Sequence, residues 1–247
     1  MGGPTFASLW EAVSAALSRE RGLIVPIAAA FLFLPQLVLA RWMGDIEVNQ
    51  WFSSGNALRT LAVFVPVAIA SLVGQLALST ILLGAGAGRT VGETLGASAG
   101  RVLPAMAANL IQALGFGFGL LLLIVPGFYM LGRLSLVIPL IVSETRDPLE
   151  AVRRSWDLTR GRGLQVMGWL ALLFLGFLLL SIAVGGLAVA FGVVSTMAGA
   201  GAAEGWGVGR WLVELVNAAA SAAMTLLLIA FIAELYRQLR AAPAPGA

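Results

Sequence analysis

Apolar residues run along this chain in long blocks rather than in the short alternations of a water-soluble fold. The blocks cover Leu23 to Ala40, Leu61 to Leu83, Leu103 to Val125, Phe128 to Val142, Leu164 to Val194 and Trp211 to Ile232. A helix needs about 20 mainly apolar residues to cross a hydrocarbon layer about 30 Å thick. The pattern therefore predicts an all-α fold, a polytopic membrane helical bundle. Its six transmembrane helices are expected as three hairpins, each preceded by a cytoplasmic interfacial amphipathic helix. The third and fourth blocks are separated only by Pro126-Gly127, a pair that stops a helix and turns the chain, so these two spans are expected to form a tight hairpin. The fourth block is short, roughly 22 Å as a helix, and contains Pro139. It must extend past Ser143, thin the bilayer or lie partly re-entrant.

Composition leads to the same solvent. Of 247 residues, 60% are hydrophobic and 11% charged, against about 25% charged in an ordinary soluble domain. The first block ends in Val38-Leu39-Ala40, which resembles a signal-peptidase site, but its breadth and the long segment before it favour a retained anchor. Every basic residue is arginine, and alanine and glycine abound, a composition that suits a GC-rich bacterium. The net charge is only +3, carried on arginines spread along membrane-flanking segments, so they are read as topology signals rather than a nucleic-acid surface.

Those arginines set the orientation. With the N-terminus in the cytoplasm, Arg19, Arg21, Arg89, Arg101, Arg146, Arg153, Arg154, Arg160, Arg162, Arg237 and Arg240 lie inside, and only Arg41, Arg59 and Arg210 face outward. Both termini are therefore expected in the cytoplasm. Trp42, Trp51, Trp206 and Trp211 then mark the outer boundary, and Trp10, Trp156 and Trp169 the inner one.

The segments that precede the odd-numbered spans share a design. Those starting at Leu9, Val91 and Pro148 each place a glutamate early and an arginine just before the next apolar block. A single membrane domain, 1–247, is read from this, with pseudo-repeats at about 5–83, 89–142 and 147–236; the competing account is that any loop entering a membrane looks this way. In the third copy Asp147 suits a helix cap, Pro148 the first helical position and Glu150 a capping box. Leu149, Val152 and Trp156 fall on one face, as Phe6, Leu9, Val13 and Leu17 do near the N-terminus. These stripes contact either lipid or other helices of the same chain. Gly84, Gly88, Gly92, Gly96 and Gly100, with Gly115 and Gly119 beyond, give either a close-packing groove or a flexible connection.

The absence of cysteine and histidine removes disulfides, thiolate nucleophiles, imidazole bases and the usual zinc ligands. No phosphate loop, nucleophile elbow or dinucleotide fingerprint occurs. No cofactor and no metal are expected, because the spacing of Glu144, Asp147 and Glu150 suits capping and arginine pairing better. The residue that asks for an explanation is Arg133, placed near mid-membrane by its position in the fourth block. An arginine there is costly and faces the bundle interior. Glu214, Asn217 and Glu234 on the last span are its candidate intramembrane polar partners. Arg133 is read either as an internal polar site for an anionic head group or as a structural or snorkelling charge.

The run PGFYMLGRLSLVIPLIVSETRDPLEAVRRSWDLTRGRG, from Pro126 to Gly163, resembles the membrane domain of glycerophosphoryl diester phosphodiesterases and the related YciC-type bacterial inner-membrane proteins. The positions that carry the resemblance are Pro126, Gly127, Arg133, Pro139, Glu144, Glu150, Ala151, Ser155 and Trp156. In those phosphodiesterases hydrolysis belongs to a separate soluble barrel, for which this chain has no room. The resemblance thus implies a membrane module and not an esterase. The role expected is a non-enzymatic accessory or scaffold of the bacterial inner membrane that binds membrane lipids, with a homo-oligomer or a membrane-protein partner and no nucleic acid. The alternative is a transporter or channel for a small or lipidic solute, with its polar site near Arg133.

Overall fold

The computed structural model describes residues 5–43, 57–84, 90–122, 124–197 and 206–241. Among these residues there are only helices: α1 Phe6–Arg19, α2 Arg21–Ala28, α3 Leu34–Met43, α4 Ala57–Leu82, α5 Val91–Ala99 and α6 Val102–Leu122, then α7 Ile124–Leu134, α8 Val137–Ser143, α9 Pro148–Leu158, α10 Gly163–Met197 and α11 Trp206–Ala241. Six helical stretches are long and apolar enough to cross a membrane: Arg21–Trp42, Ala57–Leu82, Val102–Leu121, Val125–Ser143, Gly163–Gly186 and Trp211–Ala241. The protein is an all-α, multi-pass membrane bundle. The short helices α1, α5 and α9 each precede a pair of these stretches in the chain.

Prolines shape the spans. Pro35 has no N–H to return to the carbonyl of Phe31, and its ring crowds that carbonyl. The helix relieves this with one wide π-helical turn, Ala29–Phe33, closed by the Leu34 N–H donating to Ala29 O. That turn leans on α4, where a Cβ added at Gly74 would run into the Phe31 side chain. Just past the end of α4 stands Gly84, whose φ of 75° favours a residue without a Cβ.

The third and fourth spans do form a hairpin, but Pro126-Gly127 is not its turn. Both residues lie inside the first turn of α7, where a missing N–H costs nothing because those amides have no helical acceptor. Gly127 instead allows contact: a Cβ built on Gly119 would stand 2.6 Å from Gly127 Cα and 2.8 Å from its N. Gly115 and Gly119 therefore serve packing within the chain. The longer glycine series is neither one groove nor a flexible link, because Gly92 and Gly96 lie in α5 with open space around them, while Gly88 falls outside the described residues. Helix α5 begins with a capping box, Thr90 with Glu93.

The two amphipathic stripes part company. On α1, Leu9 and Val13 are buried, and Phe6 stacks on the fully buried Phe231 of α11 at 5.9 Å, with Trp169 of α10 on the same ring at 6.4 Å. On α9 the buried residues are Ala151, Ser155 and Thr159, while Leu149 and Trp156 face outward. Two of the three residues of the predicted stripe of α9 thus lie on its outer surface, while Val152 packs partly buried against the core; small residues allow the other face to lie close against the bundle. At the far end of the helices, Arg59 lies over the Trp42 ring at 4.9 Å and Arg41 over Trp211 at 6.0 Å, cation–π pairs that gather these boundary residues. Trp51 and Arg89 lie outside the described residues.

Gly119→Ala is expected to lower stability by about 1–3 kcal/mol, as overpacking does, because the atoms it meets are backbone. Gly117→Ala, with nothing within 4 Å, should be neutral or slightly stabilising. Thermal unfolding of both variants in detergent checks the pair.

Candidate functional site at the junction of the fourth span and α9

The fourth block is two helices, because Pro139 cannot donate to the carbonyl of Ser135, and the helix opens at Ser135-Leu136. A break inside an apolar bundle frees carbonyls that must find donors. Three carbonyls beside the break accept from side chains. Ser155 Oγ donates to Arg133 O at 2.6 Å, Gln112 Nε2 donates to Leu134 O at 3.1 Å, and Ser135 Oγ donates to Gly132 O at 2.9 Å.

Arg133, 7% exposed, reciprocates. Its Nη1 donates to Trp156 O at 3.0 Å and to Thr159 Oγ1 at 3.2 Å, in the last turn of α9. Carbonyls at a helix C-terminus carry the negative end of the dipole, so they attract a cation. The Trp156 ring lies 4.3 Å from the guanidinium carbon and the Tyr129 ring 5.6 Å from it. Ser155 and Thr159 are fully buried. The result is a two-way clasp: a serine of α9 holds the backbone of α7, and an arginine of α7 holds the backbone of α9.

The expected partners of Arg133 are corrected here. Its hydrogen bonds do not reach Glu214, Asn217 or Glu234. Asn217 is exposed, and Glu234 accepts from Arg237 and Gln238 on its own helix; Glu214 and Asn217 sit near the start of α11, while the clasp is level with the start of α10. Arg133 falls in the middle of the apolar stretch Val125–Ser143. Its side chain reaches the start of the next one: a Cβ on Gly163 would stand 3.1 Å from Arg133 Cδ, and Gly163 opens the stretch Gly163–Gly186.

A second polar cluster joins α8, α9 and α11. Glu144 lies at the surface, yet its side chain is only 16% exposed. It accepts from Arg154 Nη1 at 2.6 Å, from Arg240 Nη1 at 3.0 Å and from the Tyr236 hydroxyl. Arg154 also reaches Glu150 at 2.5 Å, and Thr145 Oγ1 donates to the other Glu150 oxygen at 2.7 Å. Asp147 caps α9 by accepting from Leu149 N at 3.0 Å. Glu150 does not close the capping box, because Arg154 and Thr145 hold its carboxylate and the Asp147 N–H donates to Thr145 instead. Burial pushes the Glu144 carboxyl up, but hydrogen bonds from Tyr236 and Arg154 and the charges of Arg240 and Arg154 outweigh this and hold it below its ordinary value of 4.5.

An apolar groove of about 440 Å³ opens elsewhere between α1, α10 and α11, lined by Phe6, Trp10, Leu172, Gly176, Met224 and Leu227 among others. Among the described residues, no three carboxylates come together as a metal site.

Residues 62–239 match the model of a domain of unknown function, DUF7847. The chain belongs to the DUF7847 family. No curated protein and no solved structure matches it. The DUF7847 region begins within α4 and ends at the last turns of α11, so it contains the whole of the clasp and all of the Glu144 cluster except Arg240, and excludes α1. Of the positions singled out in the sequence, Arg133, Ser155 and Trp156 meet in the clasp, Pro139 causes the break, Glu144 and Glu150 meet on Arg154, and Gly127 packs the hairpin beside Pro126. Tyr129, Thr159, Gln112 and Tyr236 were not anticipated. Tyr129 and Thr159 stand one helical turn from Arg133 and Ser155, a spacing that puts them on the same faces.

Ser155→Ala should cost about 1–3 kcal/mol, the penalty of leaving the buried Arg133 carbonyl without a donor, read by thermal unfolding in detergent. Because the Glu144 pKa is depressed by folding, its contribution is present above the ordinary carboxylate range and is lost as pH falls through the folded value. Protease sensitivity of the α8–α9 segment should therefore rise on acidification below about pH 4.5, and Glu144→Gln should abolish that dependence.

Proposed function

We propose that this protein is a non-enzymatic accessory or scaffold module of the bacterial inner membrane, with both termini cytoplasmic, that binds lipids through its bundle and its interfacial helices. It is a membrane module of the kind that the phosphodiesterase resemblance implies. The observation that carries the reading is the outer face of α9. There Leu149 is 59% exposed and Trp156 37%, beside the exposed arginines Arg146, Arg153 and Arg160. Among the described residues none of these three arginines forms an ion pair with a carboxylate. An apolar and basic surface on a helix next to membrane spans suits the headgroup layer of an anionic leaflet. The lining of the α1–α10–α11 groove is apolar as well, which favours acyl chains over polar solutes.

The competing reading, a transporter or channel with a polar site at Arg133, draws on the burial of that cation. Against it, Arg133 is engaged in holding α9 rather than lining an aqueous path. The chain has no cysteine, so a single spin label can be introduced at Leu149→Cys without background. In nanodiscs containing phosphatidylglycerol the label should be accessible to oxygen and protected from a water-soluble nickel chelate. Equal exposure to the chelate, or solute counterflow in proteoliposomes, overturns the reading.

A further inference from the structure

The clasp uses only part of Arg133. Both hydrogen bonds that its guanidinium makes among the described residues leave from Nη1, while Nε is buried with no partner at all. Nε and Nη2 form one edge of the planar guanidinium, the fork that matches the oxygens of a phosphate or carboxylate. A cation buried with neither an acid partner nor a full set of acceptors is an unusual thing for a membrane bundle to keep.

The base of this edge sits against the start of a helix. Arg133 Cδ, to which Nε is bonded, lies 3.1 Å from the position that a Cβ on Gly163 would take, and the Tyr129 ring edge lies 3.0 Å from it. Gly163 is the first residue of α10, and the first amides of a helix have no helical carbonyl to donate to and carry the positive end of its dipole. The residues that connect α9 to α10 add Arg160, exposed, and Arg162, half-buried. The charged groups of this elbow are thus Arg133, Arg160 and Arg162, with Asp157 one turn back on the exposed side of α9.

We propose that the α9–α10 elbow is an oxyanion site that takes the phosphate of a phospholipid headgroup, bound by the Nε–Nη2 edge of Arg133, the first amides of α10, and Arg162. Nε is closed off as the elbow stands, so the phosphate oxygen enters with outward displacement of the Thr159–Arg162 connection. Nη1 and the Trp156 ring keep α9 in place meanwhile. The inference rests on the lipid-binding reading above and narrows it to one headgroup chemistry at one position.

Native mass spectrometry of the full chain, released from detergent after incubation with defined probes, tests it. Dioleoyl phosphatidylglycerol should be retained at one per protomer, and dioleoylglycerol, which has the same chains and no phosphate, should not. Inorganic phosphate should displace the phospholipid if the headgroup alone carries the site. Arg133→Lys keeps the charge and loses the fork, and retention should fall at least tenfold; Arg162→Gln should lower it severalfold. Glu144→Gln weakens the separate polar cluster that joins α8, α9 and α11 without touching Arg133 or the elbow and should retain lipid as the parent does, which separates loss of the site from loss of the fold. Equal retention by Arg133→Lys and the parent overturns the inference. Retention of dioleoylglycerol as strongly as phosphatidylglycerol overturns it too, yet leaves the lipid-binding reading standing on the apolar groove. No lipid held by any form overturns both.

Discussion

A carbonyl released by a broken helix within a membrane bundle has no water to turn to, and in this protein that constraint organises the region between the third span and the fifth. Pro139 opens the helix at Ser135-Leu136, and the freed groups are met from three directions, by Ser155 of α9, Gln112 of α6 and Ser135 itself. Because one of these donors sits on α9, that helix cannot leave the bundle without exposing a buried carbonyl. Arg133 closes the arrangement from the other side through the last turn of α9.

The burial pattern of α9 follows from this. A hydroxyl that must reach a backbone carbonyl at 2.6 Å needs its helix close, and Ala151, Ser155 and Thr159 give a face small enough to allow it. The larger apolar residues Leu149 and Trp156 are then left on the outside, among exposed arginines. The same packing that secures the helix therefore creates its amphipathic outer surface. From the α8 side, Glu144 gathers Arg154, Arg240 and Tyr236, so α9 is tied to α8 and α11 as well as to α7.

The family match covers residues 62–239, which is where these interactions lie apart from the contact of Arg240 with Glu144. Helix α1 is outside it, yet it is tied into the core by Phe6 on Phe231, and together with α10 and α11 it forms the apolar groove. The bundle thus has a polar junction inside the matched region and an apolar recess whose first wall lies beyond it.

Block length and polarity determined the number and type of helices, because a membrane crossing imposes a length and a composition that local sequence alone must satisfy. Capping chemistry likewise placed the start of α9 at Asp147-Pro148, since a cap is made within four residues. Pairing was another matter. Arg133 invited a search for an acid on another span, but the oxygens it found were a backbone carbonyl and a threonine hydroxyl, which no charge pattern announces. Pro126-Gly127 looked like a turn, whereas its role depends on Gly119, a residue on the facing helix. The stripes of α1 and α9 are alike in period, yet α1 turns its stripe inward and α9 turns most of its stripe outward, because hydrophobic spacing fixes which residues share a face and only the neighbouring helices decide which face is inside. In each of these cases the deciding partner is remote in sequence, and only the tertiary structure brings it near.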